Sequence, residues 1–447
     1  KLFYCKSLRW KSPKHCPRYR RLVFNYISIY LITFVKKMSM RWVVTILFFL
    51  LFQWYSYQAI KTLTSNRWVL FACFLFVIMV IGNLLFHTMI LERSTTNEPR
   101  LMYAIGFFIT LFVFQILVTI LLLGEDIFRI PQGIYSYFTK TPDQNEFLPQ
   151  RRKLISQIAV GLAAIPFTSL LYGMFRGKYN FKVLTYELEY DDLPEAFEGF
   201  KITQISDIHS GSFDNSKKVQ YGVDLVNAQG SDVVFFTGDL VNNKADEIIP
   251  WIETFKKINA KHGVYSVLGN HDYGDYMRWE SPEAKKKNMQ ALEKAQKQMG
   301  WDLLLNQSRF IEKDGQRIAI IGVENWGSGF KQVGDLNKAL TGVSEKDFKI
   351  LMSHDPSHWE AEVLPHPFKI HLTLSGHTHG MQFGIEIPGW IKWSPVKWRY
   401  KQWAGVYQES DQRLNVNRGF GYLAYPGRVG IWPEVTVITL IKSKKSV

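Results

Sequence analysis

Leu374-Ser375-Gly376-His377-Thr378-His379-Gly380 closes the apolar run 370–374 with two histidines set between glycines. The run is short and β-prone, so it reads as a buried strand, and the glycines read as the turn at its end. Turns at the C-terminal ends of strands are where α/β folds carry their sites. Histidine is also the commonest side-chain metal ligand near neutral pH. Alone, His-x-His is ambiguous between a metal site and a pair of surface or core histidines. Partners elsewhere in the chain settle which reading applies.

The pattern recurs upstream. Residues 181–190 alternate as a half-buried strand does. The run 200–205 leads into Ser206-Asp207-Ile208-His209, and 232–236 into Thr237-Gly238-Asp239. The run 263–268 leads into Gly269-Asn270-His271-Asp272, 317–323 into Glu324-Asn325, and 348–352 into Ser353-His354-Asp355. Helices are expected at 217–228, 246–259 and 281–299, the last charged nearly all round and therefore solvated. Strands alternating with helices make an α/β layered fold. Five strand ends then carry metal-type residues: Asp207 and His209, Asp239, Asn270 and His271, His354, and His377 and His379. Carboxylate, imidazole and amide converge there, which a chance scatter of such residues does not produce.

The ordered set Asp-x-His, Gly-Asp, Gly-Asn-His-Asp, His and Gly-His-x-His resembles the calcineurin-like metallophosphoesterase superfamily over roughly residues 195–440. Asn417-Arg418-Gly419-Phe420-Gly421, Pro426-Gly427-Arg428 and Pro433-Glu434-Val435-Thr436 are similar to the closing strands of its membrane-associated, lipid-A-precursor-hydrolase-like branch. The resemblance implies a β-sandwich of two mixed sheets flanked by helices. It implies two divalent metal ions, one held by Asp207, His209 and His379, the other by Asn270, His354 and His377, with Asp239 shared. The mixed His/Asp/Asn donor set suits Mn, Fe or Zn better than Ca or Mg. A pair of such ions positions a bridging hydroxide for attack on a phosphoester. His271, beside the ligand Asn270, is the expected general acid or phosphoryl donor.

Two departures narrow the reaction. Relatives that dephosphorylate proteins carry Gly-Asp-x-Val-Asp-Arg-Gly at the second motif, where this chain has Gly238-Asp239-Leu240-Val241-Asn242-Asn243-Lys244. The arginine that holds a phosphomonoester dianion is missing. The acidic residue that orients the catalytic histidine is replaced by Asn242, whose amide can bond the ring but cannot stabilise its charged form as a carboxylate does.

Downstream, Trp390, Trp393, Trp398 and Trp403 interleave with Lys392, Lys397, Arg399 and Lys401. The stretch reads as an aromatic-rich packed loop, as a membrane-surface patch, or as a nucleic-acid stacking platform. Trp390, Trp393, Lys397 and Trp398, with Arg418 and Arg428, are candidate substrate or membrane contacts.

The first part of the chain is of another kind. The net charge is +15, and residues 1–41 contribute eleven Lys and Arg without one Asp or Glu. The rest is only mildly basic, which weakens a nucleic-acid reading of the high charge, and no nucleic-acid partner is expected. Residues 1–37 read as a basic leader or, the favoured reading, as sequence upstream of a start at Met38 or Met40. The cysteines Cys5, Cys16 and Cys73 all lie in the first half, so the second half has neither disulfides nor thiolate ligands.

Four runs of spanning length follow, 42–60, 68–91, 101–124 and 154–175, within a transmembrane region 38–176 that precedes a phosphoesterase domain 181–443. Arg129, Lys140, Arg151, Arg152 and Lys153 outweigh Arg176, Lys178 and Lys182, which places the third connection in the cytoplasm and the catalytic domain outside. Arg151-Arg152-Lys153 before an apolar helix also looks like a degenerate twin-arginine signal, while Lys36, Lys37 and Arg41 argue for the opposite orientation. The expected protein is a multi-pass cell-membrane hydrolase of a phosphodiester or pyrophosphate, with lipid-linked, UDP-diacylglucosamine-like esters among the candidates. The rival is a non-catalytic membrane sensor or scaffold that keeps a structural metal site.

Overall fold

The computed structural model describes residues 40–90, 99–139, 149–387 and 389–443. The basic segment 1–37 and Lys140 lie outside them. Four helices come first: α1 Met40–Leu63, α2 Arg67–Ile90, α3 Pro99–Thr139 and α4 Pro149–Phe175. Among the described residues three stretches, Arg67–Thr88, Pro99–Thr139 and Arg151–Phe175, are long and apolar enough to cross a membrane. α1 has the length but carries Gln53, Gln58 and Lys61.

The third run does not stop at Gly124 as expected. α3 continues through Glu125, Asp126 and Pro131 to Thr139. The buried acids are neutralised where they stand: Arg152 pairs with both, and Arg129 lies 3.0 Å from Asp126. An ion pair of this kind is how charge is tolerated at membrane depth. Arg152 is thus a partner of α3, not only a charged flank.

By packing, the described residues up to Leu70 and within 115–163 make one compact unit, and those within 71–114 and 164–443 make another. The second unit contains two six-stranded sheets. In the first the order is β1 (Lys182–Tyr190), β14 (Glu434–Lys442), β2 (Lys201–Ile205), β3 (Val233–Phe236), β4 (Val264–Ser266), β5 (Trp301–Leu303). In the second it is β12 (Gly405–Glu409), β13 (Gln412–Val416), β9 (Leu372–Ser375), β8 (Phe348–Met352), β7 (Gln316–Gly322), β6 (Gln307–Lys313). Both sheets are mixed: β2, β3, β4 and β5 run parallel, as do β7, β8, β9 and β13, while β14–β2, β6–β7 and β12–β13 are antiparallel.

Alternation explains the apolar stretches of β3, of β7 from Ile318 and of β8 from Ile350. Val233 and Phe235 of β3, Ile318 and Ile320 of β7, and Ile350 and Met352 of β8 fill the core between the sheets. Their neighbours Val234 and Phe236 face α5 (Ser216–Asn227), α6 (Ile252–Phe255) and α7 (Pro282–Gln298), while Ala319, Ile321 and Leu351 join a third cluster on the far side. Strands covered on both faces need apolar residues at every position. The result is an α/β fold of two mixed sheets with flanking helices.

The helix expected over 246–259 does not form. Two 3-10 turns, Ala245–Glu247 and Ile249–Trp251, and the single turn α6 replace it. Pro250 has no N–H to continue a helix. Glu247 accepts instead from the backbone N–H groups of Asn242, Asn243 and Lys244, at 2.6, 3.2 and 3.1 Å. The stretch after His379 forms a separate hairpin, β10 (Ile385–Ile387) against β11 (Ile391–Trp393), which the sequence did not announce.

Candidate metal centre

The C-terminal ends of β2, β3 and β4 in one sheet and of β8 and β9 in the other meet at one place. Ile205 is level with Phe236, Phe236 with Ser266, and Met352 with Leu374. Motifs one to five residues further on therefore converge. Crossing hydrogen bonds tie the sheets together, among them Gln204 Nε2 to the Ser375 carbonyl at 2.9 Å and Asn415 Nδ2 to Gln204 Oε1 at 2.7 Å.

The backbone turns sharply there. Asp207, His209, Asp239, His377 and His379 all have positive φ, between 47° and 69°. Left-handed backbone is uncommon outside glycine, Asn, Asp and His, and its clustering is typical of functional sites. At Gly376 an added Cβ would collide with Ser206 and Asp207, and at Gly269 with Asp239. The two glycines thus let the motifs approach each other.

Two groups result: Asp207, His209 and His379, and Asp239, His354 and His377. His209 Nε2 lies 3.0 Å from His379 Nε2, which is 3.3 Å from Asp207 Oδ1. Asp239 Oδ2 is 3.2 Å from His354 Nε2 and 3.6 Å from His209 Nε2, so one carboxylate oxygen touches both groups. His377 Nδ1 lies 3.3 Å from His354 Nε2 and 2.8 Å from Asn270 Oδ1. Asp239 Oδ1 is occupied separately, by the backbone N–H of His271 at 2.9 Å.

The donor set fits divalent cations. Burial alone would lower the His354 imidazole, yet the carboxylates of Asp239 and Asp207 hold it up at about 10. Burial keeps His209 well below the ordinary histidine value, and its Nδ1 is buried without a hydrogen-bond partner. Two buried carboxylates ringed by imidazoles that must otherwise carry their countercharge are a place for cations.

Outer contacts select the ring nitrogens. His354 Nδ1 donates to the Thr237 carbonyl at 2.7 Å, leaving Nε2 for the group. His377 Nε2 is 2.8 Å from the Tyr400 hydroxyl, which donates to Asp355 Oδ2 at 3.3 Å. Tyr400 therefore accepts from Nε2–H, and Nδ1 is left with its lone pair inward. Arg428 donates to His379 Nδ1 at 3.1 Å. Asp272 accepts the backbone N–H groups of Asp239, Leu240, Val241 and Gly269, at 2.8–3.2 Å, and so fixes two motif loops on one another.

Comparison with known proteins agrees with this geometry. Residues 200–381 match the family described as calcineurin-like phosphoesterase, and residues 40–178 match "Probable Calcineurin-like phosphoesterase, transmembrane domain". An uncharacterized metallophosphoesterase of Bacillus subtilis (strain 168) is 30% identical over 254 residues, covering 56% of this chain and 81% of that protein. The chain belongs to the calcineurin-like metallophosphoesterases. A Danio rerio transmembrane protein with metallophosphoesterase domain is 28% identical over 62% of this chain, and the chain spans 62% of that relative's length. A second uncharacterized Bacillus subtilis metallophosphoesterase is 25% identical over 62% of this chain and 97% of its own.

Not every expected site residue of this metallophosphoesterase lies where the sequence suggested. His271 Nδ1 donates to the backbone carbonyl of Asn242 at 2.8 Å, not to its side chain, which turns to Ser212. The His271 ring stands against His209 and Tyr276, with centroids at 5.0 and 4.5 Å. Arg418 and Arg428 are not surface contacts. Arg418 is buried between Glu386 and Glu434, each at 2.6 Å. Arg428 is wholly buried on the Gly421 carbonyl and His379. A local motif cannot show that an arginine has partners folded in from elsewhere in the chain. The Trp/Lys stretch divides. Trp390 and Trp398 are exposed, as is Lys397, and Trp393 is half-buried against Trp398. Trp403 is buried with Val396, Ala404 and Ile431. Tyr400, Asp355 and Asp272 were not singled out from the sequence. Only Asp272 carried a signal, its place in Gly-Asn-His-Asp.

Proposed function

We propose that this membrane protein hydrolyses phosphodiester or pyrophosphate bonds at a site holding two divalent ions, Mn, Fe or Zn, with membrane-resident esters as the natural class. The observation that carries the reading is the position of Asp239 Oδ2, within 3.6 Å of an imidazole of each group. Asp207, His209 and His379 would hold one ion, and Asn270, His354 and His377 the other, with Asp239 common to both. Such a pair supplies charge neutralisation at the phosphoryl oxygens and an activated water.

The chain's own residues do the rest. The Asn242 carbonyl holds the proton of His271 on Nδ1, which leaves Nε2 without a partner among the described residues. From the imidazolium form Nε2 gives its proton to the leaving oxygen as the P–O bond breaks. Tyr400 and Asp355 orient His377, and Arg428 orients His379. A diester suits the site better than a phosphomonoester. Asn243 stands where protein-dephosphorylating relatives have arginine, and Arg418 and Arg428 are committed to buried partners.

Purified protein with Mn²⁺ is expected to hydrolyse bis-p-nitrophenyl phosphate, and Asp239→Asn and His377→Ala are each expected to abolish the reaction. Activity surviving either substitution sinks the site. A wild type inactive across several metals and ester types favours the scaffold reading. The excess of Arg and Lys before α4 supports a catalytic domain outside the cytoplasm, while Lys36, Lys37 and Arg41 argue for the opposite side. Alkaline phosphatase fused after Val447 is then active, and an inactive fusion reverses the orientation.

A further inference from the structure

A groove of about 640 Å³ lies between the last turns of α4 and the segments that follow His379 and Arg428. Thr168, Ser169 and Tyr172 form one wall, Ile385 and Glu386 another, and Val429 and Trp432 the third. The first wall belongs to a helix apolar and long enough to cross a membrane, near its end at Phe175. Tyr172 and Trp432 meet edge to face at 6.2 Å, a Tyr/Trp pair of the kind found at the lipid–water boundary. Ile385 is 51% exposed, and Ile387 and Trp390 on the same hairpin are exposed as well. The Glu386 carboxylate is held by the Arg418 guanidinium at 2.6 and 3.0 Å.

The groove stands one residue away from the metal centre. Arg428 N–H donates to the Gly173 carbonyl of α4, while the Arg428 guanidinium donates to His379. Gly173 permits this contact, since a Cβ there would meet Val429 and the Arg428 carbonyl. The chain makes the same connection on the other side. From His379 to Gly384 is five residues, at most about 18 Å even if fully extended. The exposed Met381 lies on that path.

We propose that this groove receives the apolar tail of a membrane-resident amphiphilic phosphoester whose head group reaches the metal centre. The proposal rests on the hydrolytic reading above and adds the place in the fold where the tail of such an ester is held. A ligand held partly in the bilayer and partly in the groove leaves the membrane only at its head. The wall formed by α4 makes that geometry available, and a soluble ester makes no use of it.

The test uses the full-length protein in lipid nanodiscs with Mn²⁺ and two p-nitrophenyl phosphodiesters, one methyl and one hexadecyl. The hexadecyl ester is expected to show kcat/KM at least about tenfold higher, carried by KM, since removing even a few methylenes from water has that effect. Thr168→Trp, which fills the groove, is expected to bring the ratio of the two kcat/KM values down several-fold. A ratio unchanged by the variant overturns the proposal and assigns the preference to partition into the bilayer. A wild type that cleaves the methyl ester but shows no chain preference also overturns it, while leaving the hydrolytic reading in place. Inactivity on both esters counts against that reading instead. A second measurement needs neither turnover nor a variant. A diazirine-bearing hexadecyl phosphonate should cross-link peptides containing Thr168, Ile385 or Trp432, and the hexadecyl ester should compete. Labelling spread along α2 and α3 without enrichment at the groove, or labelling that competes only with bulk phospholipid, excludes a substrate subsite.

Discussion

The two Asp/His groups differ in how they are closed. In the group of Asp207, His209 and His379, both Asp207 oxygens accept the His377 backbone N–H at 3.0 Å, and Arg428, wholly buried, holds His379 from behind. In the group of Asp239, His354 and His377, the edge is aromatic. Asn270 donates to the hydroxyl of exposed Tyr276 at 2.8 Å, His377 leans on Tyr400, and Phe330 lies against the His377 ring at 4.7 Å. One group is locked by the core, and the other is framed by side chains that water reaches. The contrast is one of support: a buried guanidinium behind the first group and aromatic side chains around the second.

The strongest way to break the contrast is at the shared oxygen. Asp239→Asn is expected to lower bis-p-nitrophenyl phosphate hydrolysis by about 10³-fold or more and to empty both groups, read as bound metal per chain. Retention of one ion would show that Asp239 serves a single group. Arg428→Met tests the buried support. It orphans the Gly421 carbonyl and His379 Nδ1, so stability is expected to fall by about 1–3 kcal/mol in thermal denaturation, with weaker binding of the first ion. Tyr400→Phe tests the aromatic side. Removing an outer partner of a ligating histidine typically weakens its metal about 10–100-fold, so titration should show one site displaced and the other unchanged. An equal shift at both sites would erase the distinction between them.

A buried histidine outside both groups sharpens the comparison. His371 Nε2 donates to Asp192 at 3.0 Å, and its Nδ1 accepts the Lys349 N–H at 3.0 Å. Both nitrogens are satisfied in the neutral ring, and burial pushes its pKa down to about 4 despite the Asp192 carboxylate. The unfolded chain takes up this proton first as pH falls. The stability contribution is complete above about 6.5 and is lost progressively towards pH 4, with a slope of at most about 1.4 kcal/mol per pH unit. His371→Gln should flatten that part of the acid-denaturation profile in thermal shift. An unchanged profile would mean that the loss arises elsewhere.

How much was legible from the sequence follows from how local each signal is. The run ending at Phe236 read correctly as a strand because two-sided burial demands an unbroken apolar run, and Gly238 marks its end. The span 246–259 was misread because its apolar spacing was weighed without Pro250. Arg418 and Arg428 looked like free cations because Glu386, Glu434 and His379 become neighbours only after the sheets pack. Tyr400, inside a stretch read for its Trp and Lys, reaches His377 only because the chain folds back over 23 residues.

The sequence by itself determined the apolar helical region, the α/β order of the second half and the Asp and His side chains that the structure gathers into two groups, all of which depend on periodicity, composition and residue type along short stretches. Only the tertiary structure decided that Asp239 faces both groups, that Arg428 locks one and Tyr400 frames the other, and that α4 forms a groove wall opposite Ile385 and Val429. Those facts depend on distances between residues far apart in the chain, which are set by sheet register and by how the helix end packs on the Arg428 segment, and no local pattern encodes them.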